Sequence, residues 1–317
     1  MRRLPGDVMV LGVGGKMGPT LARMARRASD AAGAPRRVIG VSRFSNPETR
    51  TQLERHGVET IAADLLDEAA VESLPDAANV ISMSGFKFGA SAAAAYTWAI
   101  NCLVPTHVCR RFRDSRIVAF STGNVYGPVD VATGGSVESD PLRPVGEYAM
   151  AAVGRERMYE YFSQSQSTPT AILRLNYATE LRYGVLVDLA RHVFEQRVID
   201  LSTAWVNVLW QTDANRMALR ALEHTAAPAR VLNVAGPELL RVREVAEQFG
   251  KQFGLEPRFA GEESPFALLN NATASYPLLG SPDSPSSEMI AWTAEWLRRG
   301  GETWNKPTMF QASDGQF

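Results

Sequence analysis

Residues 7–18 read DVMVLGVGGKMG, a short apolar run that breaks into glycines. Gly12, Gly15 and Gly18 keep a G-x-x-G-x-x-G spacing. Glycine lets the backbone turn tightly and admits close approach to main-chain amides, while the N-terminus of a helix attracts negative charge. The setting gives the motif its weight, because a strand-forming run precedes it and a helical stretch follows. Gly12, Gly15, Lys16, Met17 and Gly18 are therefore expected to cradle the pyrophosphate of a dinucleotide.

Outward from this turn, short apolar runs alternate with helical stretches, the pattern of βαβ units on a parallel sheet. Strands are expected near 7–13, 36–42, 58–63, 78–84, 116–122 and 169–175, and helices near 17–32, 48–56, 67–73, 91–112 and 146–165. Pro105 removes an amide donor inside 91–112 and predicts a kink or break there. Beyond about residue 176 the pattern loosens: WVNVLW (205–210) reads as a strand, 213–225 as a helix, 230–236 as a strand and 242–254 as a helix. Trp292 and Trp296 lie one turn apart on a further helical stretch, where they are expected to pack rather than hold a ligand. The fold class is α/β, a doubly wound parallel sheet of Rossmann type. The expected division is a dinucleotide-binding domain over 1–176 and a smaller, mainly substrate-binding lobe over 177–317, from which segments near 203–236 return to the first domain.

Charge and composition exclude several classes. With 33 basic and 34 acidic residues the balance points to neither nucleic acid nor an anionic membrane surface. No apolar run approaches the ~18 residues that span a bilayer, and no signal peptide is read at the N-terminus. If Cys102 and Cys109 share a helix they lie roughly 10 Å apart along its axis, too far for a disulfide, which suits a reducing cytoplasm. His56, His107, His192 and His224 are scattered without ligand spacing, so no metal is expected. There is no nucleophile elbow or P-loop, hence no acyl or phosphoryl chemistry.

The second expected strand ends in VSRFS (41–45). A carboxylate there favours a ribose 2′-hydroxyl, whereas a small polar residue followed by arginine accommodates a 2′-phosphate. Ser42 and Arg43 leave NAD or NADP open, with a lean toward NADP.

Taken in order, several stretches resemble the extended short-chain dehydrogenase/reductase family of NAD-dependent epimerases and dehydratases. They are the glycine turn, ADL with Asp64 and Leu65, SMSGFK (82–87), Asn101, STGNVYG (121–127), and Tyr148 with Glu156. The resemblance implies that Asp64 and Leu65 flank the adenine, that Ser84, Gly85 and Asn101 line the cofactor cleft, and that Lys87 faces the cofactor. It also implies that Thr122 holds the reacting oxygen and that Tyr148 donates and accepts the proton. The implied function is an NAD(P)-dependent oxidoreductase or epimerase acting on a hydroxyl/carbonyl pair of a small sugar- or polyol-like substrate. Helices 91–112 and 146–165 imply a possible homodimer, although their alanine-rich faces could equally pack within one subunit.

The chain departs from that family in YAMAAVGRE (148–156), where Ala152 stands in place of the family's lysine. A phenol with a pKa near 10 is a poor base at neutrality without a nearby cation. Lys87 and Arg155 are the cations weighed as substitutes, but the resemblance turns Lys87 toward the cofactor rather than toward Tyr148, and Arg155 stays protonated and does not relay protons readily. Tyr148 is then a weakened acid/base or only orients substrate, or the chemistry rests on residues that do not align. Gly123 and Asn124 replace the Asp and Glu of sugar-nucleotide dehydratases, so water elimination by that route is not expected. The family's diphosphate-gripping arginine falls near Val206, and Asn176 follows Arg174 one residue early, which argues against a nucleotide sugar. Arg182 and Arg191 are the remaining candidates for an anionic group. The competing reading is a non-catalytic NAD(P)-binding sensor or scaffold.

Overall fold

The computed structural model describes residues 1–87, 89–311 and 315. Seven parallel strands form the central sheet: β1 (Val8–Leu11), β2 (Val38–Ser42), β3 (Glu59–Ala62), β4 (Asn79–Ser82), β5 (Arg116–Thr122), β6 (Thr170–Leu175) and β7 (Arg230–Val234). Their order is β3-β2-β1-β4-β5-β6-β7. The order reverses beside β1, so the connections leaving β1 and β4 diverge and open a crevice at the carboxyl ends of the strands.

All four β1 residues are buried. Side chains alternate across a strand, so Val8 and Val10 pack on one face of the sheet and Met9 and Leu11 on the other. On the first face α1 (Gly18–Ala31) places Leu21, Ala22 and Ala25 against Ala214, Met217 and Ala218 of α7 (Gln211–Ala221). On the second, α4 (Ala94–Arg111) and α5 (Gly146–Gln166) bury Val104, Val108, Tyr159 and Phe162. The helix α2 (Pro47–Arg55) begins where the Asn46 side chain accepts a hydrogen bond from the Glu48 amide, and α3 (Glu68–Glu72) where Asp67 does the same for Ala70. The helix α4 runs as a single element through Pro105, so of the kink or break expected there the break does not occur.

A second core lies among α6 (Val185–Phe194), α8 (Val242–Phe253) and α10 (Ser286–Arg298), where Leu186, Leu189, Val245, Phe249 and Ile290 meet. A one-turn helix, α9 (Tyr276–Leu279), packs back on α7. Residues 205–210 are not one strand. Trp205–Val206 pairs antiparallel with Leu240–Arg241, and Leu209–Trp210 pairs parallel with Ala178–Thr179. Asn207, between the two, is buried and turns its amide to the carbonyls of Gly236 and Asn270, which breaks the apolar alternation a single strand requires. Trp292 packs edge-on to Trp210, and the Trp296 indole donates to the Glu302 carbonyl.

Candidate active site

The turn between β1 and α1 can be built only from glycine at two points. Gly12 has φ +77°, and a Cβ on Gly18 would lie 2.3 Å from the Val13 carbonyl oxygen. No side chain caps α1, so its first main-chain amides, Pro19 apart, are not occupied by a capping side chain. Beside Gly12 the Ser84 hydroxyl is buried and, among the described residues, has no hydrogen-bond partner. A glycine cradle, uncapped amides and an unsatisfied hydroxyl together fit a bound dinucleotide pyrophosphate.

The cleft so formed has a volume of about 390 Å³. Gly12, Gly15, Lys16, Met17 and Gly18 form one wall. Gly85, Lys87, Thr122 and Tyr148 face them. Asn101 is fully buried behind that second wall, where its side-chain oxygen accepts two bonds from the Arg155 guanidinium, at 2.8 and 2.5 Å. Arg155 also donates to the Phe120 carbonyl, which holds it against the cleft beside Gly85. Ser42, Arg43, Asp64 and Leu65 do not line the cleft. Ser42 stands over Gly14, Arg43 reaches to 3.9 Å from Asp64, and the buried Leu65 meets His107 through its carbonyl.

At the reaction end, Thr122 closes β5 and its hydroxyl donates to the Asn124 side chain at 2.9 Å. A Cβ at Gly123 would lie 2.4 Å from the Asn270 side-chain oxygen, so the space an acidic side chain needs is already filled. Ala152 is fully buried against Val125 and Tyr126. One turn further, Glu156 forms a buried ion pair with Arg174 at 2.7 Å and accepts from Ser121. Arg174 also donates to the Tyr126 hydroxyl, which commits it to joining α5 to the sheet. Asn176 donates to Asn207, and Val206 is buried in the second core. Arg182 pairs with Glu180 and Arg191 with Glu195, so neither faces an open anion site.

A second cavity of about 250 Å³ adjoins the cleft. Lys87, Asn124 and Tyr177 line both, and mark where cofactor and substrate would meet. Hydroxyl and apolar groups form the rest of the wall, among them Thr203, Ser264, Phe266 and Phe310. Among the described residues Lys87 is the one charged side chain lining it.

Three of the chain's four lysines gather here. Lys87 donates to the Thr308 carbonyl at 3.4 Å, and burial brings its pKa down to about 8. Lys16 lies 3.2 Å from the centroid of the Tyr183 ring; burial first, and then repulsion from Lys87 and Lys306, lower it to about 7. Burial pushes the Tyr183 phenol up, and its ring stacks on Trp304. Tyr183, Thr308 and Phe310 carried no sequence signal, since they belong to no motif and reach the site only through the packing of the C-terminal segment.

A doubly wound sheet with a glycine cradle at its topological reversal defines a dinucleotide-binding α/β protein. The family model described as NAD dependent epimerase/dehydratase family matches residues 8–235. The chain belongs to that family, and is by that membership an NAD(P)-dependent enzyme of the oxidoreductase and epimerase class. No curated protein matches the chain. Its fold is shared by dTDP-glucose 4,6-dehydratase from Bacillus anthracis str. Ames in complex with NAD, with a TM-score of 0.78, 14% identity, and 93% of this chain and 97% of that one covered. UDP-glucuronic acid 4-epimerase from Bacillus cereus in complex with UDP-glucuronic acid and NAD gives 0.75 at 17% identity, covering 92% and 99%. MoeE5 in complex with UDP-glucose and NAD gives 0.75 at 20% identity, covering 93% and 99%.

Proposed function

We propose that the protein interconverts a hydroxyl and a carbonyl on a small sugar- or polyol-like substrate that carries no nucleotide. The observation that carries this reading is the junction where Thr122, Asn124, Tyr148 and Lys87 bring the glycine-cradled cleft against a separate small cavity. When bound, NAD(P) supplies the hydride acceptor or donor. The Thr122 hydroxyl orients the reacting oxygen and the Tyr148 phenol takes or returns its proton. The small cavity selects the substrate. At about 250 Å³ and with no arginine among its described lining residues, it is matched to a monosaccharide-sized molecule rather than to the nucleotide sugars named with the structural neighbours.

Arg43 and the absence of a carboxylate at the end of β2 support NADP over NAD. A second copy of the chain is proposed to cover the outer face of α4 and α5, where Trp98, Leu103, Met150 and Tyr161 are exposed. Light scattering is expected to give twice 34.6 kDa. No helix among the described residues is long and apolar enough to cross a membrane, and both cysteines are free thiols, which supports a cytoplasmic setting. The functional test is dinucleotide-linked turnover over a panel of free sugars, polyols and sugar acids. Activity on members of that panel, without activity on UDP- or dTDP-sugars, is expected. Binding of NAD(P)(H) without turnover on any substrate would instead fit a non-catalytic sensor.

A further inference from the structure

We propose that Lys87 is the cationic partner of Tyr148, supplying from the loop after β4 the charge that position 152 of α5 lacks. The inference rests on the functional reading above. Three observations carry it. The Lys87 ammonium lies 5.8 Å from the centroid of the Tyr148 ring. It lines both cavities, as Asn124 and Tyr177 do. Its stem is fixed there by the bond to the Thr308 carbonyl, 221 residues away in sequence.

The other cations are engaged elsewhere. Arg155 spends its guanidinium on Asn101 and the Phe120 carbonyl, and Lys16 sits on the Tyr183 ring across the cleft. The charged and titratable groups facing Lys87 come from every side. They are Tyr148 and Arg155 from α5, Lys16 from the glycine turn, Tyr177 and Tyr183 from the segment before α6, and Asp188 from α6, which accepts two bonds from Thr308. Lys306, from the C-terminal segment, acts on Lys16. Among these groups the cations outnumber the single carboxylate, Asp188.

In the oxidising direction Tyr148 would enter as the phenolate, its own proton given to solvent; the substrate O–H bond then breaks and its proton forms the phenol O–H. A bound oxidised nicotinamide dinucleotide would accept the hydride from the carbon–hydrogen bond, leaving a carbonyl. Lys87 forms no bond to substrate in this step; it acts through the phenol. Its charge is present below pH 8 and lost as the pH rises through about 8.

The test compares Lys87→Met and Lys87→Arg. Wild-type kcat is expected to fall above about pH 8. Lys87→Met should lower kcat about 100-fold at neutral pH and abolish that alkaline fall. Lys87→Arg should keep most of the rate and hold it above pH 8, because a guanidinium stays charged. Affinity for NADH and NADPH, read by nicotinamide fluorescence, separates a loss of dinucleotide binding from a loss of the proton-transfer step, so kcat is compared at saturating dinucleotide. Undiminished kcat in Lys87→Met, or a loss accounted for wholly by dinucleotide affinity, overturns the pairing.

A second readout needs no turnover. With only four lysines in the chain, reductive ¹³C-methylation gives a simple NMR spectrum. Tyr148→Phe should move the titration of the Lys87 resonance and leave that of Lys251 in place. An unmoved Lys87 resonance overturns the pairing. A moved resonance in a protein that turns over nothing would leave the pairing standing and sink the functional reading instead.

Discussion

The glycine turn and the head of α5 make opposite demands on sequence. At the turn the requirement is on the backbone, since a methyl group at Gly18 would meet a carbonyl oxygen at 2.3 Å and no residue elsewhere could relieve that. At α5 the requirement is for a charge near a phenol, which any element reaching the junction can supply. A backbone requirement is thus held by contiguous residues, whereas a charge can be delivered from a different loop. Ala152, buried against Val125 and Tyr126, and Lys87, arriving from beyond β4, are the two halves of that difference.

The largest effect expected from breaking the α5 side is structural. Glu156→Ala leaves Arg174 buried without its carboxylate and should cost about 3–5 kcal/mol in denaturant unfolding, a loss that a purely surface pair would not show. On the turn side, Gly18→Ala forces the backbone to shift; about 2–3 kcal/mol of stability and at least a tenfold loss of dinucleotide affinity are expected by thermal unfolding and fluorescence titration. Ala152→Lys restores the family residue to a filled position. It should destabilise by about 1–3 kcal/mol through overpacking without raising kcat, and a gain in kcat would show that α5 can still supply the charge. The smallest effect is at the exposed Arg43, where alanine should cost about tenfold in NADPH affinity and leave NADH unchanged.

What could be read from sequence follows the same division. The buried parallel strands announce themselves as apolar runs, and the turn as glycines, because both are local patterns. Residues 205–210 were misleading, since a buried Asn207 serving two distant carbonyls looks from sequence like one polar position in a strand. The helix α4 tolerates Pro105 because its packing on α5 and the sheet maintains it as one element. Arg174, read from sequence only through its spacing to Asn176, is held by the buried Glu156. The junction was the least legible part. Its members come from the loop after β4, from β5, α5 and the C-terminal segment, and Thr308, which belongs to no motif, meets Lys87 across 221 residues.

The central claim is that an intact dinucleotide site serves redox chemistry at that junction. Its most direct test is mass spectrometry of the dinucleotide released on denaturing the purified protein, before and after incubation with the panel of free sugars, polyols and sugar acids. One NAD(P) per chain, taken up if not already present, whose redox state changes with a member of the panel, is the predicted result. A protein that neither carries nor takes up NAD(P) would contradict the claim.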